Sequence, residues 1–256
     1  MHHWTKRLFV LAAPLLLAGC LWAPGKFVSD LTLRKDGSFV LDYRGEILFE
    51  LSDRQAEQWN NSMAVCHATD GKDRPCSTAE IAQQKTQFYD KRKEDQENMK
   101  ALGLPGLDDE SNRAFAAKLT KYAGWRSVTY LGHGVFNVDY HLEGRATQDF
   151  LFPVMPDNNF VIPFIALRRR SDGSVLVTAP GIAGGLNSLG PMAGQMGGEK
   201  ETPPSRAQGR FTVHTDGEVL TNNSEDGAAA DPLGRQVHWD IAPGSTKIPE
   251  TLVRLQ

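Results

Sequence analysis

The chain has 256 residues, of which 40% are hydrophobic, and a formal charge of −3 at pH 7. That apolar content suits a packed core and excludes a disordered chain. The mild acidity gives no electrostatic reason to seek nucleic acid, so no such partner is expected.

Taken in order, the chain opens with Lys6 and Arg7 before an apolar run at 8–17 broken only by Pro14. A run this short cannot cross a bilayer core, which takes about 20 helical residues. It reads instead as the core of a signal peptide. The stretch Leu17-Ala18-Gly19-Cys20 resembles a bacterial lipobox. That resemblance implies a signal peptide at 1–19, cleavage before Cys20, and a diacylglycerol with palmitate-class acyl chains joined to its sulfur. Each buried methylene is worth about 0.8 kcal/mol, so two or three chains hold a protein to the bilayer durably. The implied location is the cell envelope, lipid-anchored and facing the periplasm. Leu21 rather than aspartate follows the cysteine, which in the Gram-negative lipoproteins this signal resembles favours the outer over the inner membrane. Cleavage removes Lys6 and Arg7 and no acid, moving the formal charge from −3 to −5.

With Cys20 assigned, Cys66 and Cys76 remain, enclosing the stretch CHATDGKDRPC. In an exported protein two such cysteines are expected to pair as a disulfide. Closing this small loop should stabilise by roughly 2–3 kcal/mol. A metal site would need more ligands than the adjacent His67 supplies, so no metal and no cofactor are expected.

Strand patterning begins near Lys26. Phe27, Leu31 and Leu33 alternate with polar residues, Asp36-Gly37 marks a hairpin, and Phe39, Leu41, Tyr43, Ile47, Phe49 and Leu51 share one parity. Gly45 inside this run predicts a bend or bulge. The character changes over 52–122. Ser77-Thr78-Ala79-Glu80 is a capping box, and the run to about Leu102 is a polar helix with a thin apolar face of Ile81, Phe88 and Met99. A shorter helix is predicted near 111–122. Strand signals then return in WRSVTYL and VFNVDYHLEG around Gly132-His133-Gly134, near 148–154, in FVIPFIALRRR and SVLVTAP, and finally in GRFTVHTDGEVL and RQVHWDI. Pro163 predicts an edge or a bulge. The expected fold class is α+β: a mainly antiparallel sheet of about seven to nine strands, either strongly curved or barrel-like. It carries a helical insertion at about 77–122 and a glycine-rich loop at about 181–208. Residues 20–256 are expected to form a single exported β-rich domain.

Pro24-Gly25-Lys26-Phe27, Asp36-Gly37 and Tyr43-Arg44-Gly45-Glu46, together with FTVHTDGEVLTNN and GRQVHWDIAPGS near the end, resemble bacterial lipoproteins with an LppM-type domain. The likeness covers the ends and middle of the chain; segment 77–122 and the glycine-rich stretch depart from it. It implies a β-rich envelope domain that binds amphiphilic or polar ligands without established catalysis, and it assigns no functional residue.

Motifs for chemistry are sparse. The histidines lack HExxH, HxH or CxxC spacing and read as surface residues on polar strand faces. No GxSxG elbow is present; Leu186-Asn187-Ser188-Leu189-Gly190 comes nearest. Within GIAGGLNSLGPMAGQMGG, Ile182, Leu186, Leu189, Met192 and Met196 recur at helical spacing. This stretch is either a loop folded back on the sheet or an amphipathic flap touching lipid or a greasy ligand. Arg168-Arg169-Arg170 is either a solvated strand end or a contact for anionic headgroups. The expected function is non-enzymatic: a lipid-anchored envelope protein, joined to the membrane through Cys20, that binds an amphiphile or an envelope protein partner. The alternatives are a periplasmic hydrolase acting on cell-wall or lipid substrates, and a structural subunit using helix 77–102 as its contact.

Overall fold

The computed structural model describes residues 22–49, 58–68, 70–101, 108–154, 163–183 and 205–255. The fold is α+β, mostly strand, and its described strands do not close into a barrel. The long first hairpin, β1 (Trp22–Leu33) and β2 (Ser38–Phe49), turns at Gly37, whose φ is 80°. Alternation then dictates the faces. Leu31 lies opposite Leu41, and Ser29 opposite Tyr43, all on the inner side. The bulge predicted at Gly45 is carried by β1: the register shifts between Pro24 and Phe27. Gly45, at φ 145°, sits opposite Phe27 where a Cβ would fall 2.2 Å from the Lys26 carbonyl oxygen. Only glycine permits that approach. The backbone N–H of Lys26, displaced by the bulge, donates to Glu46 Oε2 at 3.0 Å.

The insertion follows. It runs through a short pair, β3 (Cys66–His67) and β4 (Asp73–Arg74), then α1 (Thr78–Ala101) and α2 (Asp109–Leu119). The capping box holds: Ser77 N–H donates to Glu80 Oε2 at 2.8 Å, and Glu80 N–H to Ser77 Oγ at 3.3 Å. Helix α2 starts earlier than its apolar residues suggest, because Asp108 caps it by accepting from Ser111 N–H at 2.7 Å.

Strands β5 (Trp125–Gly132), β6 (Val135–Arg145), β10 (Gln208–Thr215), β12 (Ala229–Asp231) and β13 (Gly234–Ile241) join the first hairpin in a seven-stranded sheet. Its order is β12-β13-β10-β1-β2-β6-β5. All its pairings are antiparallel except β1 with β10, which run parallel. One row on its inner face reads Trp239, Phe211, Ser29, Tyr43, Tyr140 and Trp125 across six strands. Ser29 is the small member that lets the large rings on either side fit, and its hydroxyl donates to the Asp42 carbonyl at 2.8 Å.

A second layer went unread in the sequence. β7 (Phe150–Phe152), β8 (Ile165–Arg169), β9 (Val175–Thr178), β11 (Glu218–Asn222) and β14 (Glu250–Arg254) form a five-stranded sheet in the order β11-β14-β9-β8-β7. The run GRFTVHTDGEVL is therefore two strands in different sheets, broken at Asp216-Gly217. Pro163 marks neither an edge nor a bulge: it precedes β8, which lies between β7 and β9. Aromatic rings bridge the two layers. Phe152 lies 5.1 Å from Tyr43 and 4.6 Å from Tyr140, and Phe150 lies 4.9 Å from Phe39, centroid to centroid. Such pairs add about 0.5–1.5 kcal/mol each beyond their area burial. Burial lifts the Tyr43 phenol well above its usual range and that of Tyr140 to about 12, so both stay neutral in the core. At the Trp22 end, α2 takes over as the covering layer, stacking Phe115 on Trp22 at 5.6 Å.

Candidate functional site

Trp22 opens β1, two residues beyond Cys20. Residues 1–21, and with them the signal-peptide and Cys20 expectations, lie outside the described residues. Trp22 itself is buried, its ring 5.0 Å from Phe49 and 5.7 Å from Phe136. It pairs with Phe49, whose N–H donates to the Gly134 carbonyl at 2.7 Å. The start of β1, the end of β2 and the tip of the β5–β6 hairpin therefore stop together at one end of the sheet. Among the described residues no helix is long and apolar enough to cross a membrane.

Cys66 and Cys76 are bonded, closing the base of the helical insertion. Around them Gln84 accepts from Val65 N–H and donates to its carbonyl, and Arg74 binds Glu80. The Arg74 guanidinium, then the Ser77 N–H and hydroxyl, hold the Glu80 carboxyl down at about 2. A depression of about 310 Å³ lies here, lined by polar groups including His67, Arg74, Glu80 and Gln84. Helix α1 presents a narrow stripe of half-buried residues that includes Ile81, Gln84, Phe88, Arg92 and Gln96, with Trp59 resting on Phe88 at 5.6 Å.

The arginine run sits at the opposite end of the molecule from Trp22. Arg169 Nη1 donates to the Ala146 carbonyl at 3.0 Å, and Ala146 N–H donates to Gly37 in the β1–β2 turn. Along β1 that turn lies about 36 Å from Trp22, at roughly 3.3 Å per residue. All three arginines are exposed. The adjoining Ser171-Asp172-Gly173 turn is built on Asp172, which takes the Ser174 hydroxyl and N–H and falls below the usual carboxylate range for that reason.

Ile182 follows the folded-back reading and departs from the flap reading that made it a contact. It is fully buried in the core, so it offers no surface to lipid or ligand. The cause is local: Ala179 N–H reaches Pro249, and Gly181 N–H reaches Pro163 at 3.0 Å, which folds this turn over Phe164. Leu186, Leu189, Met192 and Met196, and the near-miss serine motif at 186–190, lie outside the described residues.

The outer face of the seven-stranded sheet is polar. His141 contacts Asp42 at 2.9 Å, His214 contacts Asp231 at 3.1 Å, and His238 contacts Asp226 at 3.2 Å. His214 and His238 share this face without facing each other; their cross-strand partners are Gln236 and Thr212. Among the described residues no group of three acids, histidines or cysteines is placed to hold a metal ion. A second open depression, about 550 Å³, lies on this face beside Lys26, Val28, Arg44 and Gln208. Between the two sheets, by contrast, the space is filled by side chains such as Tyr43, Phe152, Phe164 and Phe211.

One cross-layer tie escaped the sequence reading. Asn223 Oδ1 accepts from Trp239 Nε1 at 2.9 Å and from Glu250 N–H at 2.9 Å, while its amide donates to Ile248 at 2.7 Å. The Asn-Asn turn and the later tryptophan were visible as a pattern, but nothing in their spacing signals that they touch.

Fold and surface together define an α+β two-layer protein with open surface depressions. No protein-family model matches the chain, and no curated protein matches it. Among solved structures it is similar to the NMR structure of the folded domain of the LppM protein of Mycobacterium tuberculosis. That match has 10% sequence identity and a TM-score of 0.27, and covers 92% of this chain and 91% of that one. It is a loose likeness.

Proposed function

We propose that this chain is an exported lipoprotein, acylated at Cys20 after loss of residues 1–19, and that it serves the cell envelope as a non-enzymatic interaction module facing the periplasm. The observation that carries this reading is the junction itself: a lipobox-like cysteine stands two residues before the first strand. An acyl anchor there fixes the folded unit to the bilayer with almost no linker. The Cys66–Cys76 bond supports the same reading, since such bonds persist in oxidising compartments. The ring-filled interior favours a module that meets its partner on the surface over a carrier with an internal cavity.

Intact-mass measurement of the native protein tests the proposal. A species beginning at residue 20 and carrying acyl mass on Cys20 is the expected result, with Cys20→Ser releasing the chain from membranes. A chain retaining residues 1–19 with an unmodified thiol would overturn it. Cross-linking in cells should then capture an envelope protein, whereas solvent extraction of the purified protein should yield no stoichiometric amphiphile besides the anchor.

A further inference from the structure

The two ends of the seven-stranded sheet differ sharply in chemistry. At the Trp22 end the β5–β6 hairpin turns through His133 at φ 50° and Gly134 at φ 73°, the pair of positive angles a tight two-residue hairpin requires. Residues 127–138 contain no Asp, Glu, Lys or Arg, in a chain of which 23% is charged. Leu131, just before the turn, is 59% exposed. The opposite end gathers Arg34, Lys35, Arg145, Arg169, Arg170 and Arg235 around the β1–β2, β8–β9 and β10–β13 ends. A charge-free tip with a bare leucine suits the bilayer interface; the opposite end, where Asp36 lies 3.9 Å from Arg145 and Asp149 accepts from Arg169 N–H, carries charges of both signs and needs water.

The anchor point selects between the ends. Two residues reach at most about 7 Å, so a lipid on Cys20 enters the bilayer beside the Trp22 end. β1 is separated from β6 by β2 alone, placing the hairpin tip about 10 Å to the side at ordinary strand spacing.

Resting on the lipoprotein reading, we propose that the folded unit stands end-on upon the phospholipid bilayer, with the Leu131–Gly134 tip entering the interface and the arginine-rich end directed away. The tip alone enters. Beside it the Gly134 N–H donates to the Tyr130 hydroxyl at 3.3 Å, which donates to Asp109 Oδ1 at 3.1 Å; that carboxylate stays in water and confines entry to Leu131 and the turn. This orientation also separates Arg168, Arg169 and Arg170 from the headgroups of the anchoring membrane, leaving them to solvent or to a partner on the far side.

The test uses the acylated chain in vesicles of phosphatidylethanolamine and phosphatidylglycerol. With Cys20 acylated and Cys66 bonded to Cys76, a cysteine introduced by Leu131→Cys or by Ser171→Cys is the one free thiol for an environment-sensitive dye. Quenching by shallow nitroxide lipids should be several-fold stronger at 131 than at 171. Hydrogen exchange of the unlabelled chain should show amides 131–134 slowed on vesicles relative to detergent. Equal, water-like behaviour of both dyes in a chain that floats with the vesicles overturns the orientation alone. Stronger quenching at 171 overturns it too, in favour of headgroup contact by the arginines. A chain that fails to float, with no acyl mass on Cys20, overturns the anchor and the orientation together.

Discussion

Strand β2 and helix α1 show how differently two parts of one chain are held. β2 has 12 residues, and six are buried: Phe39, Leu41, Tyr43, Ile47, Leu48 and Phe49. α1 has 24 residues, and none whose side chain is described is buried. Burying one Leu, Ile or Phe side chain is worth about 1.5–3 kcal/mol, so β2 is fixed by the solvent it excludes. α1 is fixed by local devices: its capping box, the Arg74–Glu80 pair, the disulfide at its base and the Trp59–Phe88 contact. The lesson is that stability here is layered. The two-sheet body should unfold as a cooperative unit, and the helical arm should open by itself at lower cost.

The sharpest way to break this contrast is in the body. Phe152→Ala removes a ring that touches Tyr43, Tyr140, Trp125 and Phe164, and should cost about 3–5 kcal/mol in urea unfolding. A loss below 1 kcal/mol would mean the layers are not close-packed there. In the arm, the double change Cys66→Ser and Cys76→Ser should cost roughly 2–3 kcal/mol. Hydrogen exchange should report it as faster opening of 78–101 with β2 and β6 unchanged; equal acceleration of β2 would erase the distinction. Asn223→Ala strips an acceptor from the Trp239 indole and should cost about 1–3 kcal/mol, chiefly by loosening β14 from β13. If Asn223→Asp, which keeps Oδ1, performs no better than alanine, the tie through that oxygen is wrong.

The smallest effect is one of pH. The Glu80 carboxyl is held at about 2 against an ordinary 4.5. A depressed value means that its contribution is whole above about 4.5 and fades as pH falls from there toward 2. Helicity of the arm should therefore decline across that acid window while the near-ultraviolet signal of the buried rings holds. Glu80→Gln should flatten the decline. A helix signal independent of pH in the unmodified chain would show that the capping box does not set the stability of the arm.

Much of this was legible in the linear chain. Strict alternation from Phe27 to Phe49 exposed the first hairpin and its buried face, because a side-chain period of two leaves one register that keeps Leu31 and Leu41 from water. Ser77 and Glu80 announced the start of α1 because a capping box is complete within four residues. The disulfide followed from the cysteine count and the expectation of export. The parallel pairing of β1 with β10 was beyond reach, since Lys26 and Gln208 are joined only by the path the whole chain takes. The same distance hid the second sheet: Val175, Val177 and Val253 carry a strand pattern that fits one layer as well as two. For Ile182 the glycine neighbours left open a loop folded back on the sheet or a flap, and only the bonds from Ala179 and Gly181 decide for the inward one.

What the sequence determined by itself was local: which residues alternate, where helices are capped and where turns need glycine. What only the tertiary structure decided was which ends coincide. The charge-free hairpin tip falls beside Trp22 and the arginines fall about 36 Å away along β1. Period and propensity act over a few residues, whereas the closing of one strand on another from a distant part of the chain is settled by what the two faces exclude from water together.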